Sequence, residues 1–363
     1  MEKYIPTFTD ISKWNKKPYS STGGTRAKNI YIDLDNNQEY FFKGSKKLKD
    51  GTFKYPDEFW SEIISSKIGQ WLGFNLLDYN IAYDESDEQQ IGCISKSMII
   101  HTENKLSEGV EYLRGYDPNY LPSENESKYT FDFIRRTLKS FKLSDSEKDF
   151  VEMLVFDAII GNSDRHQENW GFISDFKRTL EEIKQKLEDD NGVLNKIGLT
   201  IKKVLARVAQ EIGSDEDFKS SNLNKNILRT QSSIINTSFS PIYDSGCCLG
   251  RELEDDKIQK MLANRIMIEK YILRGRAEVR WNKSKRKPKH FDLLRELKLE
   301  FKSLYSEIDE RLDRRYSEKE LEKLILNIDS NLPKKLGKFK LSDNRKMLML
   351  KLIHLRIENV RGV

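Results

Sequence analysis

The chain has 363 residues, 37% hydrophobic and 33% charged, and its 63 Lys and Arg against 58 Asp and Glu leave a net charge of +5. That length leaves room for about two or three compact units with ample core, and so even a charge balance gives no ground for expecting a nucleic-acid partner. No apolar run reaches the length of a membrane span, the N-terminus lacks a signal-peptide pattern, and the three cysteines, Cys93, Cys247 and Cys248, have neither zinc-ligand nor disulfide-framework spacing; a reducing, cytoplasmic setting without stable membrane association is expected.

Residues 1–28 read as irregular and end in SSTGGTRAK, Ser20 to Lys28. Gly23 and Gly24 allow φ > 0 and close approach of backbone N–H groups to an anion. Arg26 and Lys28 add positive charge, and Ser20, Ser21, Thr22 and Thr25 crowd the loop with hydroxyls. The Gly-Lys-Ser/Thr ending of a Walker A loop is absent. NIYIDL and QEYFFKGS then flank Asn36-Asn37, a hairpin pattern. Lys43, near the end of the second run, is either a solvated strand lysine or an ammonium that reaches nucleotide phosphates.

Residues 57–73 carry Trp60, Ile63, Ile64, Ile68, Trp71 and Leu72 on one helical face. Pro56 marks the entry and Gly73 the exit. Glu62 lies at the edge of that face, placed to point inward toward Lys43 or to remain a solvated rim carboxylate. IAYDES and QIGCISKSMII read as two more strands, and HTENKLSEG as a linker. The expectation is a small β-rich lobe over residues 1–105 and a larger helical lobe over 106–363. A nucleotide base would sit at the crossover, near backbone groups of Met98 and Ile100 in the stretch that runs to His101.

Ser144-x-x-Glu147 is a capping-box signature. It precedes Phe150, Val151, Leu154, Val155, Ala158 and Ile159 on one helical face, with Gly161 suited to the stop. Just past this helix, GNSDRHQENWGF places Asp164 and Asn169 with four residues between them. Phosphoryl transfer needs a carboxylate to accept the substrate hydroxyl's proton and an amide oxygen nearby to hold Mg²⁺, a cation of hard oxygen ligands. A short turn lets both converge on one phosphate. Alone, the spacing is also that of an ordinary Asx turn.

WGFI reads as a short strand. Residues 174–238 read as a helical-hairpin insertion with a Ser/Asn/Asp-rich tract at its end, a possible partner site. SPIYDSGCCLG follows. Ile242 and Tyr243 are strand-like, Asp244 has the form of a metal-bridging carboxylate, and Gly246 gives the chain freedom to turn. Residues 274–290, RGRAEVRWNKSKRKPKH, concentrate positive charge, as a solvated loop or as a dock for an acidic or phosphorylated substrate. The remainder is charged and helical.

A glycine loop, a strand lysine, a helix glutamate, Asp-x4-Asn after a buried helix and Asp-x-Gly after a strand stand in the order found in kinases. GNSDRHQENWGF and SPIYDSGCCLGRE resemble the catalytic and metal motifs of HipA-like serine/threonine kinases. STGGTRAK and EYFFK, more loosely, resemble that family's glycine-rich loop and lysine strand. The likeness spans residues 20–290 with gaps. It implies an α+β, bilobal protein-kinase-like fold, close to phosphatidylinositol 3/4-kinases, with a β-rich N-lobe and a larger helical C-lobe carrying a helical insertion. It further implies ATP and Mg²⁺ as cofactors. Asp164 would be the base, Asn169 and Asp244 the Mg²⁺ ligands, and Lys43 the phosphate ligand oriented by Glu62. Arg165 and His166 would position the loop or the γ-phosphate. Autophosphorylation would fall on Ser21, or on Ser20 or Thr22, and the partner would be a protein substrate. The insertion between the two metal motifs departs from the family pattern, and a glycine loop beginning at Ser20 suits a compact member. Such a kinase would be a bacterial toxin, a regulator, or an effector delivered into a host cell cytoplasm. A lipid or small-molecule kinase on the same fold, or a non-catalytic nucleotide-binding module, are the other readings.

Overall fold

The computed structural model describes residues 1–17, 28–45, 48–87, 90–99, 103–179, 181–182, 235–283 and 286–363. Most of the glycine-loop stretch, residues 18–27, lies outside these, and so do Ile100 and His101 and, from residue 183 on, the two helical patterns expected over residues 176–212.

The N-terminal part is one six-stranded sheet. Its strands are β1 (Phe8–Asp10), β2 (Asn15–Lys17), β3 (Lys28–Ile32), β4 (Glu39–Lys43), β5 (Tyr79–Tyr83) and β6 (Ile91–Lys96), in the order β1-β5-β6-β4-β3-β2. β3 and β4 form the expected hairpin, with Asn37 at φ 57 in the turn, a conformation that asparagine tolerates. Two strands fall in the segment that reads as irregular. β1 is parallel to β5 and β2 antiparallel to β3, so their extended form comes from partners far along the chain.

Helix α1 (Glu58–Leu72) lies against β5 and β6 and ends at Gly73 in the left-handed region, φ 89. Its sequence suggests one wet face, but the structure buries it on every side. Phe59, Trp60, Ile63, Ile64 and Ile68 enter the main core, while Glu58, Ser61, Glu62, Ser65 and Lys67 are also buried. Glu62 is therefore not a rim carboxylate. A buried carboxylate needs a charged or hydrogen-bonding partner, and that requirement shapes the site below.

The change of sheet falls between Lys96 and Asn104, a few residues ahead of the division expected at 105. The stretch that reads as a linker is strand β7 (Asn104–Glu108), running into α2 (Gly109–Tyr116). β7 joins β8 (Gly171–Asp175) and β9 (Asn236–Phe239) in a three-stranded antiparallel sheet. The expected insertion boundaries of 174 and 238 therefore cut into two paired strands, and the core resumes at β9. Asp175 pairs directly with Asn236.

Helices α3 (Phe131–Ser140) and α4 (Glu147–Ile160) follow α2, and α4 is buried from Phe150 to Ile160 apart from half-buried Glu152. The capping box expected at Ser144 and Glu147 does not form. Ser144–Ser146 is a short 3-10 turn, and Ser146 caps α4 without a side-chain bond. The C-terminal helices are α5 (Asp255–Leu262), α6 (Arg265–Arg274), α7 (His290–Glu300), α8 (Lys302–Arg315), α9 (Glu318–Leu326) and α10 (Asp343–Arg361). α10 packs on α4, α5, α6 and α9, so its basic side chains reach the back of the loop that follows α4. Among the described residues no helix is long and apolar enough to cross a membrane.

Candidate active site

The site is built on the left-handed end of α4. Gly161 adopts φ 72, which glycine takes without steric penalty, and the chain turns out of the core into residues 162–170. The loop is held from inside. Asn162 donates through Nδ2 to Asp157 Oδ1 at 2.9 Å and accepts from the Asp164 N–H at 3.2 Å. Tyr129 donates its hydroxyl to the Arg165 carbonyl at 3.1 Å and accepts from Trp170 Nε1 at 2.8 Å.

Arg165 lies inside the protein, 1% exposed. It pairs with Asp157 (Nη2 to Oδ1 2.8 Å, Nε to Oδ2 3.0 Å) and donates to the carbonyls of Asn169 and Tyr243 and to Ser245 Oγ. Burial works against its charge, but the Asp157 carboxylate outweighs that and holds Arg165 above the ordinary arginine value. Its guanidinium faces internal partners on both loops. His166 is partly exposed, with Nδ1 accepting from the Glu168 N–H at 3.3 Å. Asp157 is a site residue that the motif did not include. The available signal was a lone aspartate inside the apolar run of α4, since such a group is almost never buried unpaired.

Asp164 is half-buried and points its Oδ2 at Cys247, whose Sγ lies 3.0 Å away as donor. Asn169 is buried, and its Nδ2 donates to the Asp164 carbonyl at 2.8 Å. Fixing the amide nitrogen this way makes Oδ1 the arm that Asn169 can offer to a cation.

The second loop follows β9. Ile242 forms only an isolated bridge to Leu76 rather than a strand, and Tyr243 none. Within Asp244-Ser245-Gly246 the left-handed residue is Asp244, at φ 54, and not Gly246. Non-glycine residues seldom adopt this conformation, though aspartate tolerates it better than most. The Tyr243 carbonyl bound by Arg165 and the Ser245 N–H bound by Glu62 hold Asp244 between them.

Lys43, at the end of β4, brings the pieces together. Its Nζ is 3.3 Å from Glu62 Oε1 and 3.2 Å from Asp244 Oδ1. Glu62 Oε2 accepts from the Ser245 N–H at 2.8 Å. One carboxylate thus ties the N-terminal sheet and helix to the loop of Asp244. Cys248 lies behind, its thiol pushed up by burial and bonded to the Ser245 carbonyl at 2.9 Å.

Asn169 Oδ1 and the Asp244 carboxylate are hard oxygen donors, which suits Mg²⁺. Two protein oxygens are enough for a cation that takes few protein ligands and completes its shell with phosphates and water. Met98 is half-buried just past β6, where the Ser97 hydroxyl donates to the Ile99 carbonyl at 2.8 Å and accepts from the Ile99 N–H at 3.1 Å. Ile100, Ser20, Ser21, Thr22, Gly23, Gly24 and Arg26 lie outside the described residues. Of Lys28 only the backbone is described, in register with Lys43.

No family model matches the chain, and no curated protein matches it. Among solved structures, it is similar to the crystal structure of a Helicobacter pylori proinflammatory kinase, CtkA. The TM-score is 0.66 at 18% identity, over 98% of this chain and 97% of that chain. The protein has a bilobal kinase-like α+β fold, a β-rich N-terminal lobe followed by a mainly helical one.

Proposed function

We propose that the protein is an ATP- and Mg²⁺-dependent serine/threonine protein kinase of HipA-like type. The observation that supports this most is the three-way contact of Lys43 with Glu62 and Asp244. A buried lysine held by a helix carboxylate, beside a strained metal-type aspartate, is the arrangement that phosphoryl transfer requires. A fold shared with a solved kinase agrees with it.

Asp164 accepts the proton of the substrate hydroxyl. Asn169 and Asp244 would hold Mg²⁺, which would supply charge neutralisation at the phosphates. Lys43 binds the phosphates, with Glu62 fixing its position, and Arg165 holds the two loops in register. Little covalent work falls to the chain, so rate comes from positioning and from charge placed in advance. Under this reading Ser21, with Ser20 and Thr22 beside it, is an autophosphorylation site, and modification there competes with nucleotide phosphates for the same loop.

Incubation of purified protein with labelled ATP and Mg²⁺, followed by phosphosite mapping, tests the reading. Label on protein serine or threonine that is lost in Asp164→Asn supports it. Label that persists in that variant, or none with any protein substrate including itself, overturns it.

A further inference from the structure

Beside the candidate catalytic loop is a second feature, which the mechanism does not use. A cavity of about 560 Å³ is lined by Arg251, Arg274, Arg276 and Arg356, with Ser163 and Cys247 in its wall. Ser163 precedes Asp164 in the chain, and Cys247 contacts Asp164 Oδ2. The cavity therefore borders the place where a substrate hydroxyl would meet its base.

The arginines come from three separate places. Arg251 follows the Asp244 loop, Arg274 and Arg276 lie at the end of α6, and Arg356 projects from α10. Arg251 stacks on Tyr55 at 4.6 Å and pairs with Glu58. Glu252 also lines the cavity and accepts a hydrogen bond from the Tyr271 hydroxyl at 2.7 Å. Four arginines against the two carboxylates of Glu58 and Glu252 leave the cavity with an excess of positive charge.

Arg356 is the informative member. It is 3% exposed, and Nη1 donates to the Ala158 carbonyl at 3.2 Å. Among the described residues no carboxylate forms an ion pair with Arg356, Arg274 or Arg276. Burial lowers Arg356 to about 10. Two glycines make room for its guanidinium. A Cβ on Gly161 would lie 2.6 Å from it and one on Gly275 3.1 Å. Glu252 in the same cavity wall acts on Arg356 only at longer range than an ion pair. A buried cation without a contacting carboxylate is costly to maintain, and one that faces a cavity lined by further guanidinium groups is arranged for an anion that arrives from outside.

We propose that this cavity binds a phosphoryl group already present on the protein substrate, close to the hydroxyl being modified, so that the enzyme prefers pre-phosphorylated sites. This rests on the kinase reading above. Guanidinium groups match phosphate oxygens in pairs of parallel hydrogen bonds, and several of them around one cavity suit a dianion better than a single carboxylate. The cavity is large enough for a phosphorylated side chain. The chemistry of the glycine loop plays no part in it.

Fluorescence anisotropy without ATP, on phosphatase-treated protein, tests the cavity by itself. The probes are degenerate peptide pools with a central serine and a phosphoserine fixed at one flanking position, each matched by a pool with plain serine. At least one phosphoserine pool should bind roughly tenfold tighter than its match, about the worth of one charge-assisted hydrogen bond, and excess inorganic phosphate should compete. Arg274→Glu, at an exposed position, and Arg276→Glu should each remove that advantage while leaving the circular dichroism spectrum unchanged. Equal affinity for all pools overturns the proposal. Binding to vesicles containing phosphatidylinositol phosphates, without discrimination among peptides, overturns it in favour of a lipid headgroup. Adding ATP and Mg²⁺ separates the two readings. Discriminating binding without transfer to any peptide sinks the kinase and keeps the cavity; transfer that is blind to the phosphoserine sinks the cavity and keeps the kinase.

Discussion

Arg165 and Asp157 form a buried ion pair at 2.8 Å that joins the end of α4 to both candidate catalytic loops. The pair is 1% and 3% exposed, so neither charge has water to fall back on. Arg165→Met should leave Asp157 buried without a counter-charge and release the Asn169 and Tyr243 carbonyls together. Breaking one side of a buried pair typically costs about 3–5 kcal/mol. Urea denaturation should show a loss of that size, and a loss below about 1 kcal/mol would mean that the pair is replaceable.

Asp164→Asn keeps the shape of the side chain but removes its basicity. Phosphoryl transfer should fall by ~10²–10⁴-fold, while nucleotide affinity, which depends on Lys43, Asn169 and Asp244, is retained. Labelled-ATP transfer and nucleotide titration, run side by side, check both halves. Wild-type transfer in this variant removes Asp164 from the role of base.

Asp244→Ala and Asn169→Ala should each weaken nucleotide binding only when Mg²⁺ is present, because each removes one of few protein oxygens available to the cation. Calorimetry with a non-hydrolysable ATP analogue, with and without Mg²⁺, measures this. Asp244→Ala has a second consequence. It leaves Lys43 with Glu62 as its partner and removes the carboxylate held at φ 54, so metal-free affinity should hold or rise. An unchanged Mg²⁺ dependence in both variants rules out this pair of ligands.

Residues 183–234 can be replaced by a short linker. β8 and β9 already meet, with Asp175 opposite Asn236, and Asn236 Nδ2 is 2.9 Å from Glu182 Oε1. The two ends of the removed segment thus lie side by side, and antiparallel neighbours need only a short connection. The deletion protein should be expressed in soluble form and melt cooperatively. Aggregation, or a non-cooperative melt, would show that the segment supports the core.

His290, at the start of α7, should make stability fall on mild acidification. Burial, with Arg356 adding to it, pushes this histidine down from 6.5 to about 3. The unfolded chain takes up a proton as pH drops below 6.5 and the folded chain does not, so the stability is present above 6.5 and is lost progressively toward pH 3. Between pH 7 and pH 5.5 this linkage amounts to about 1 kcal/mol. Urea midpoints at the two pH values should differ accordingly in the wild type, and the difference should shrink in His290→Gln. Equal pH slopes in the two proteins would assign the acid sensitivity to other groups.

Some of the architecture was decided by the sequence alone. The β3–β4 and β5–β6 hairpins, α1 and α4 are specified by what lies within each segment. Alternating or helical apolar spacing, the Asn36-Asn37 turn and the glycines at 73 and 161 are local signals, and local signals survive in any context. The motif residues are local too, which is why Lys43, Glu62, Asp164, Asn169 and Asp244 could be nominated from spacing and order. Only the tertiary structure decided the rest. β1, β2 and β9 are short, with polar sequences such as NKK and NTSF, and they are strands because β5, β3 and β8 supply hydrogen-bond partners. Glu62 is buried because α1 is covered on every side, not on the single face its periodicity shows. Arg165 turns inward because Asp157 waits inside α4, and Asp244 takes the left-handed turn because Arg165 and Glu62 hold the residues on either side. The four arginines gathered around the cavity lie up to 105 positions apart in the chain, at Arg251 and Arg356. No periodicity joins them; they meet because α10 packs across α4 and α6, and packing of that kind is a property of the assembled core.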